Sequence, residues 1–153
     1  MKGTKIITLV SSVALCEVVG NVGTLFTIPA IPTWYATLAK PIFTPPNWVF
    51  APTWLVLYLL MGISLYLVVR RASKGVLAIF GVQLALNVLW SFSFFGLKST
   101  LGGLITAVAL FISIVATMVV FWKTSKAASL LLLPYMAWSA FAAALNLFVL
   151  VLN

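Results

Sequence analysis

Five runs of this sequence are each long and apolar enough to cross a bilayer, and no other feature constrains the fold as strongly. They fall at about 6–28, 47–69, 76–97, 101–122 and 129–152. A helix rises about 1.5 Å per residue, so about 20 residues cross a hydrocarbon core of about 30 Å. In that core every backbone polar group must be satisfied internally, which leaves helices and closed barrels. Barrel strands run about 9–11 residues and alternate in polarity, whereas these runs are longer and continuously apolar. The chain therefore reads as all-α: an integral membrane bundle of five transmembrane helices, in one domain covering 1–153. The first run is too long for a secretory leader, and no small-residue cleavage site stands out before Pro29.

Composition narrows the function by exclusion. Charged residues make up 7% of the chain, where a soluble domain carries roughly 25%. Glu17 is the only acid, there is no His, and Cys16 is the only Cys. No Ser-His-Asp or Cys-His triad, His-ligated zinc or carboxylate pair can be built from that set, so neither a metal nor an obligatory cofactor is expected. A lone Cys forms no intramolecular disulfide. The net charge of +8 comes from scattered Lys and Arg, too dispersed to follow a phosphate backbone, and no nucleic-acid partner is expected. Lys2, Lys5, Arg70, Arg71, Lys74, Lys123 and Lys126 fall on one side of five spans, and only Lys40 and Lys98 on the other. That bias places the N-terminus in the cytoplasm and the C-terminus outside, if the membrane is a bacterial inner membrane. A channel lacks its charged ring, and an ion-coupled transporter its internal repeats.

The connection at 29–46 differs from the short turns elsewhere. It holds Pro29, Pro32, Pro41, Pro45 and Pro46 together with Trp34, Tyr35 and Phe43, too aromatic for a solvated linker. It is expected to be an ordered lid over one mouth of the bundle, with Trp34, Lys40, Pro41, Pro45 and Pro46 among its residues. The alternative is an interfacial anchor, the depth that Trp and Tyr favour.

Polar positions inside the spans recur at helical spacing. The third span carries Gln83, Asn87, Trp90, Ser91 and Phe94 on one stripe; the fifth carries Tyr135, Trp138, Ala142 and Asn146; the second carries Trp54, Tyr58 and Met61. Trp54, Tyr58, Asn87, Trp90, Tyr135 and Trp138 are expected to line one cavity from three helices, suited to a flat, largely apolar ligand. Helix–helix hydrogen bonding, at about 0.6 kcal/mol per contact, is the alternative use of the carboxamides. The first span has a small polar face of Glu17, Gly20, Asn21 and Thr24. Glu17 is expected to be protonated or hydrogen-bonded inside the bundle, to a backbone carbonyl or to Asn21 one turn on, and a structural hydrogen bond is preferred over a proton or substrate contact. The fourth span offers only Thr106, Ser113 and Thr117 on aliphatic walls, and is expected to face lipid most. Gly81 and Ala85 form a small-xxx-small step that suits a homodimer interface.

The stretch Trp34-Tyr35, Leu38, Lys40-Pro41, Phe43, Pro45-Pro46, Trp48-Val49-Phe50, Pro52, Trp54 and Leu57-Tyr58 resembles the signature of the tryptophan-rich sensory protein or translocator protein family (TspO/MBR, peripheral benzodiazepine receptor). Asn87-Val88-Leu89-Trp90-Ser91 with Phe94-Phe95, and Pro134-Tyr135, Trp138, Phe141-Ala142 and Leu145-Asn146, agree with it. The resemblance covers nearly the whole chain. It implies a five-helix bundle, usually homodimeric, whose cavity the first connection closes. It also implies binding of porphyrins such as protoporphyrin IX and of benzodiazepine-type and isoquinoline carboxamide molecules, with sterols added in animals. By position, the pocket residues it implies are Tyr35, Trp54, Tyr58, Asn87, Trp90, Trp138 and Ala142. In some bacterial relatives, tryptophans matching Trp54 and Trp138 take part in light-dependent breakdown of bound protoporphyrin. A porphyrin-degrading activity and a ligand-sensing regulator of a membrane partner are therefore alternatives to a receptor or transporter. Two departures matter. Phe43 stands where relatives often have Trp, and 147–153 lacks a Tyr followed by Lys or Arg, so sterol transport is not expected. With no His for iron, a metal-free porphyrin suits the chain better than ligated haem, and Lys40 is the candidate partner for its propionates.

Overall fold

The computed structural model describes residues 2–153. The helices are α1 (Lys2–Ala30), α2 (Trp34–Thr37), α3 (Asn47–Val68), α4 (Lys74–Ser91), α5 (Thr100–Thr124), α6 (Lys126–Leu130) and α7 (Leu133–Leu152). A π-helical turn, Phe92–Gly96, continues α4. Five crossings result, the third made by α4 with its π turn and the fifth by α6 with α7. Ser73, Ser99 and Ser125 start α4, α5 and α6 by accepting a hydrogen bond from the backbone N–H three residues on.

The helices do not pack in chain order. Round the bundle the sequence is α3, α1, α4, α5, α7, and α6 returns to α3. Small residues set this arrangement. A Cβ on Gly62 would lie 2.5 Å from the Val13 Cα, so α1 and α3 touch backbone to backbone there. A Cβ on Gly20 would fall 2.2 Å from the Tyr58 ring, and one on Gly103 would fall 2.4 Å from the Phe94 ring and 2.7 Å from Asn146 Oδ1. Gly103 is thus why α5 fits closely between α4 and α7. The expectation that this span faces lipid most is overturned. The apolar stretch of α1 is 22% buried against 33% for that of α5. Gly81 and Ala85 are exposed on α4, and a Cβ on Gly81 would meet nothing within 4 Å.

The π turn closes with Leu97 N–H donating to Phe92 O at 2.8 Å, and Lys98 then takes a left-handed φ of 52° that stops the helix. The extra residue per turn drives Phe94 and Phe95 inward together, edge to face at 4.8 Å.

The connection between α1 and α3 is ordered and packs on the bundle through its aromatic residues. Tyr35, on α2 within it, is buried 5.7 Å from Phe95 and 6.2 Å from Phe94, and Trp34 meets Phe94 at 5.2 Å. Phe43 lies edge-on to Phe148 at 5.2 Å. The carboxamide of Asn153 acts as a substitute strand: Ala39 N–H donates to its Oδ1, and its Nδ2 donates back to Ala39 O, both at 3.0 Å. Asn153→Ala removes that pair, each bond contributing about 0.5–1.5 kcal/mol. Lid amides near Ala39 are then expected to exchange roughly tenfold faster by mass spectrometry. Unchanged exchange would leave the aromatic contacts as the lid's sole hold.

Candidate functional site

Asn87 organises the middle of the bundle. Tyr58 on α3 donates its hydroxyl to Asn87 Oδ1 at 2.6 Å, and Asn87 Nδ2 donates to the Tyr135 hydroxyl on α7 at 2.7 Å. One carboxamide therefore ties α3, α4 and α7 together, and each of its ends is used. Trp54 stacks on Tyr58 at 5.6 Å and leans on Trp90 at 6.0 Å and Tyr135 at 6.2 Å. The aromatic wall is thus backed by a satisfied polar pin, which holds its ring planes in place.

Two hollows flank this wall. The larger, about 290 Å³, lies between α1, α3 and α4 under the lid, and Tyr35, Trp54, Tyr58, Asn87 and Trp90 all border it. Its α1 side is Glu17, Gly20, Asn21, Gly23, Thr24 and Thr27. It opens sideways, since Ile28 and Leu55 in its rim are more than half exposed. The smaller hollow, about 30 Å³, lies between the lid, α3, α4 and α7, bordered by Trp138, Ala142 and Asn146 and sharing Tyr35, Trp54 and Trp90 with the first. Beyond Trp138, an outer groove runs between α3 and α7 past Pro45, Pro52 and Pro134. Trp54 and Trp138 are thus partitions, each with a hollow on two sides.

The sequence-derived site residues divide accordingly. Tyr35, Trp54, Tyr58, Asn87 and Trp90 meet at the larger cavity, whereas Trp138 and Ala142 border the smaller one. Tyr135 is fully buried and borders neither; it supports the wall through Asn87. In the lid, Pro41 is buried, Pro45 edges the outer groove, and Pro46 precedes α3. Lys40 borders neither hollow nor the outer groove. Its Nζ donates to Leu38 O at 2.9 Å and sits 4.7 Å over the Tyr35 ring. Burial raises the Tyr35 phenol above the usual tyrosine range.

The α1 wall is what the sequence reading left out of the cavity. The small polar face of Glu17, Gly20, Asn21 and Thr24 was the available signal, because glycines on one face mark close approach. Nor does Asn21 serve the Glu17 carboxyl: its Nδ2 donates to the Glu17 main-chain oxygen at 2.8 Å. Phe50 and Phe95 also border both hollows; both stand in the signature stretches, but their spacing did not set them apart from ordinary core aromatics as pocket residues.

Among the described residues no three His, Cys, Asp or Glu side chains cluster as a metal site. Three buried polar atoms around the smaller hollow have no hydrogen-bond partner: the indole nitrogens of Trp90 and Trp138, and Asn146 Oδ1. Wide aromatic faces with a few unmatched polar groups suit a flat ligand held by stacking and oriented by one or two hydrogen bonds.

Comparison with known proteins agrees with the motifs. The profile of the TspO/MBR family matches residues 12–152. A tryptophan-rich protein TspO of Archaeoglobus fulgidus is 46% identical over 151 residues, covering 97% of this chain and 98% of the relative. A tryptophan-rich protein TspO of Chlorobaculum tepidum is 44% identical over 155 residues, covering 97% and 98%. The translocator protein of Homo sapiens is 40% identical over 119 residues, covering 74% and 70%.

Proposed function

The chain belongs to the TspO/MBR family, a multi-pass membrane protein with a receptor- or transporter-like role, and from that premise we propose that it binds a tetrapyrrole such as protoporphyrin IX inside the bundle. Benzodiazepine- and isoquinoline-type molecules share the same wall in this reading. The observation that carries it is the convergence of Tyr35, Trp54, Tyr58, Asn87 and Trp90 on one cavity of about 290 Å³. That volume is at the lower end of the roughly 300–1,000 Å³ of small-molecule sites. The sideways opening lets the edge of a larger ring remain among the acyl chains. The basic end of the bundle faces the cytoplasm in this reading, so the lid lies on the opposite side.

Replacing Trp54 and Trp138 together by Phe keeps aromatic contacts but removes indole area from the cavity wall at Trp54 and from the smaller hollow behind it at Trp138. Aromatic pairs contribute about 0.5–1.5 kcal/mol each beyond their area. The midpoint of quenching of intrinsic fluorescence by protoporphyrin is expected to move to roughly tenfold higher ligand. A midpoint unchanged from the parent's would reject the site.

A further inference from the structure

Glu17 is the one acidic side chain in the sequence, and it borders the larger cavity. A carboxyl in a membrane span is expensive to insert and ordinarily faces a partner. Here the polar groups beside it on α1 are turned elsewhere. Asn21 Nδ2 donates to the Glu17 main-chain oxygen at 2.8 Å, Thr24 Oγ1 to Asn21 O at 2.6 Å, and Thr27 Oγ1 to Gly23 O at 3.1 Å. On the facing wall Asn87 is already committed to Tyr58 and Tyr135. Lys5, the nearest cation along the helix, is roughly three turns away. The Glu17 carboxyl is therefore an unmatched acceptor at the edge of an aromatic slot.

A second, independent sign comes from Trp90 on the same cavity. It is more than nine-tenths buried, and its indole N–H has no acceptor. Trp90 borders both this cavity and the smaller hollow, so the residues around the cavity include one with an enclosed, unmatched donor on α4 and one with an unmatched acceptor on α1. Buried polar groups are left unpaired in folded proteins only rarely, and each such instance calls for a partner that the protein itself does not supply.

We propose that Glu17 is the specificity-determining residue of this cavity, selecting flat aromatic ligands that direct an N–H group at the α1 wall. The inference rests on the cavity being the ligand site. A carboxyl accepts a hydrogen bond from a pyrrole or amine N–H. With the Glu17 carboxyl ionised, a ligand that offers only an ether or carbonyl oxygen at the α1 wall sets one acceptor against another, and a site built around a hydrogen bond rejects the analogue that lacks it far more strongly than it rejects a change of size.

The test uses two three-ring molecules of nearly the same shape: carbazole, which carries an N–H, and dibenzofuran, which carries an oxygen in its place. Each is titrated onto the purified full chain in nanodiscs, with quenching of Trp fluorescence as the signal and empty nanodiscs as the partition control. Carbazole is expected to bind the parent roughly tenfold more tightly than dibenzofuran. Glu17→Leu is expected to bring the two within about twofold, mainly by weakening carbazole, and Glu17→Gln, which keeps an acceptor oxygen, to retain part of the preference. The thermal midpoint of Glu17→Leu is expected to equal or exceed the parent's, because leucine suits the span better. Equal affinities in the parent, or an equal loss of both probes in Glu17→Leu with a lowered midpoint, would overturn the proposal. Protoporphyrin binding with no carbazole preference sinks this inference alone. A carbazole preference without protoporphyrin binding keeps it and removes the tetrapyrrole.

Discussion

Asn87→Leu is expected to lower the stability of the bundle by roughly 1–3 kcal/mol, seen as a lower thermal midpoint in the same detergent. The substitution nearly preserves volume, so packing is little disturbed. What it removes is the acceptor for the Tyr58 hydroxyl at 2.6 Å and the donor to the Tyr135 hydroxyl at 2.7 Å. Interhelical hydrogen bonds in membranes average about 0.6 kcal/mol and reach about 1.7. These two belong toward the upper end because they are not equally replaceable. Tyr58 borders the cavity, but Tyr135 is fully enclosed, so its hydroxyl has nowhere to turn. The rescue distinguishes this account from a packing defect. Adding Tyr58→Phe and Tyr135→Phe to Asn87→Leu removes the stranded hydroxyls, and most of the lost stability is expected to return. A triple variant no more stable than the single one would mean that the carboxamide acts through shape alone.

How far the sequence reached depends on which physical signal each feature leaves. The spans are legible because hydrocarbon demands length and apolarity, and the observed crossings fall within a few residues of those read from the sequence. The Asn87, Trp90 and Trp54, Tyr58 stripes are legible because polar and indole groups in lipid must turn inward. The cyclic order of the helices is not written in any one span. It depends on which glycine meets which neighbour, and the pairs Val13 with Gly62 and Gly103 with Asn146 are far apart in the chain. That is why α5 was misplaced toward lipid, and why α1 was missed as a cavity wall. The π turn at Phe92–Gly96 leaves no mark beyond two adjacent phenylalanines. Trp138 shows a different limit. Its spacing correctly turned it inward, but spacing carries no information on how much empty space lies beside it, here about 30 Å³.

Glycine offers the sharpest contrast, because the same methyl group added at two positions in the spans is expected to act in opposite directions. At Gly62 a Cβ would lie 2.5 Å from the Val13 Cα and 3.0 Å from its nitrogen. Both are backbone atoms, so no side chain can swing away, and α1 itself must move off α3. Overpacking of this kind costs about 1–3 kcal/mol, which outweighs the gain of up to about 1 kcal/mol from replacing glycine by alanine in a helix. At Gly81 a Cβ would meet nothing within 4 Å, so only the favourable part remains. Gly62→Ala is therefore expected to lower the thermal midpoint by several degrees and Gly81→Ala to leave it unchanged or raise it. The displacement has a functional reading as well. The seam that Gly62 closes continues through Gly20 and Tyr58 to the floor of the cavity. Once α1 is levered away, the aromatic slot widens, and its stacking contacts, which fall off steeply with separation, weaken. The quenching midpoint for protoporphyrin is expected to rise in Gly62→Ala and stay at the parent value in Gly81→Ala. If the two variants shift stability and binding alike, the close approach of α1 and α3 is not what shapes the site.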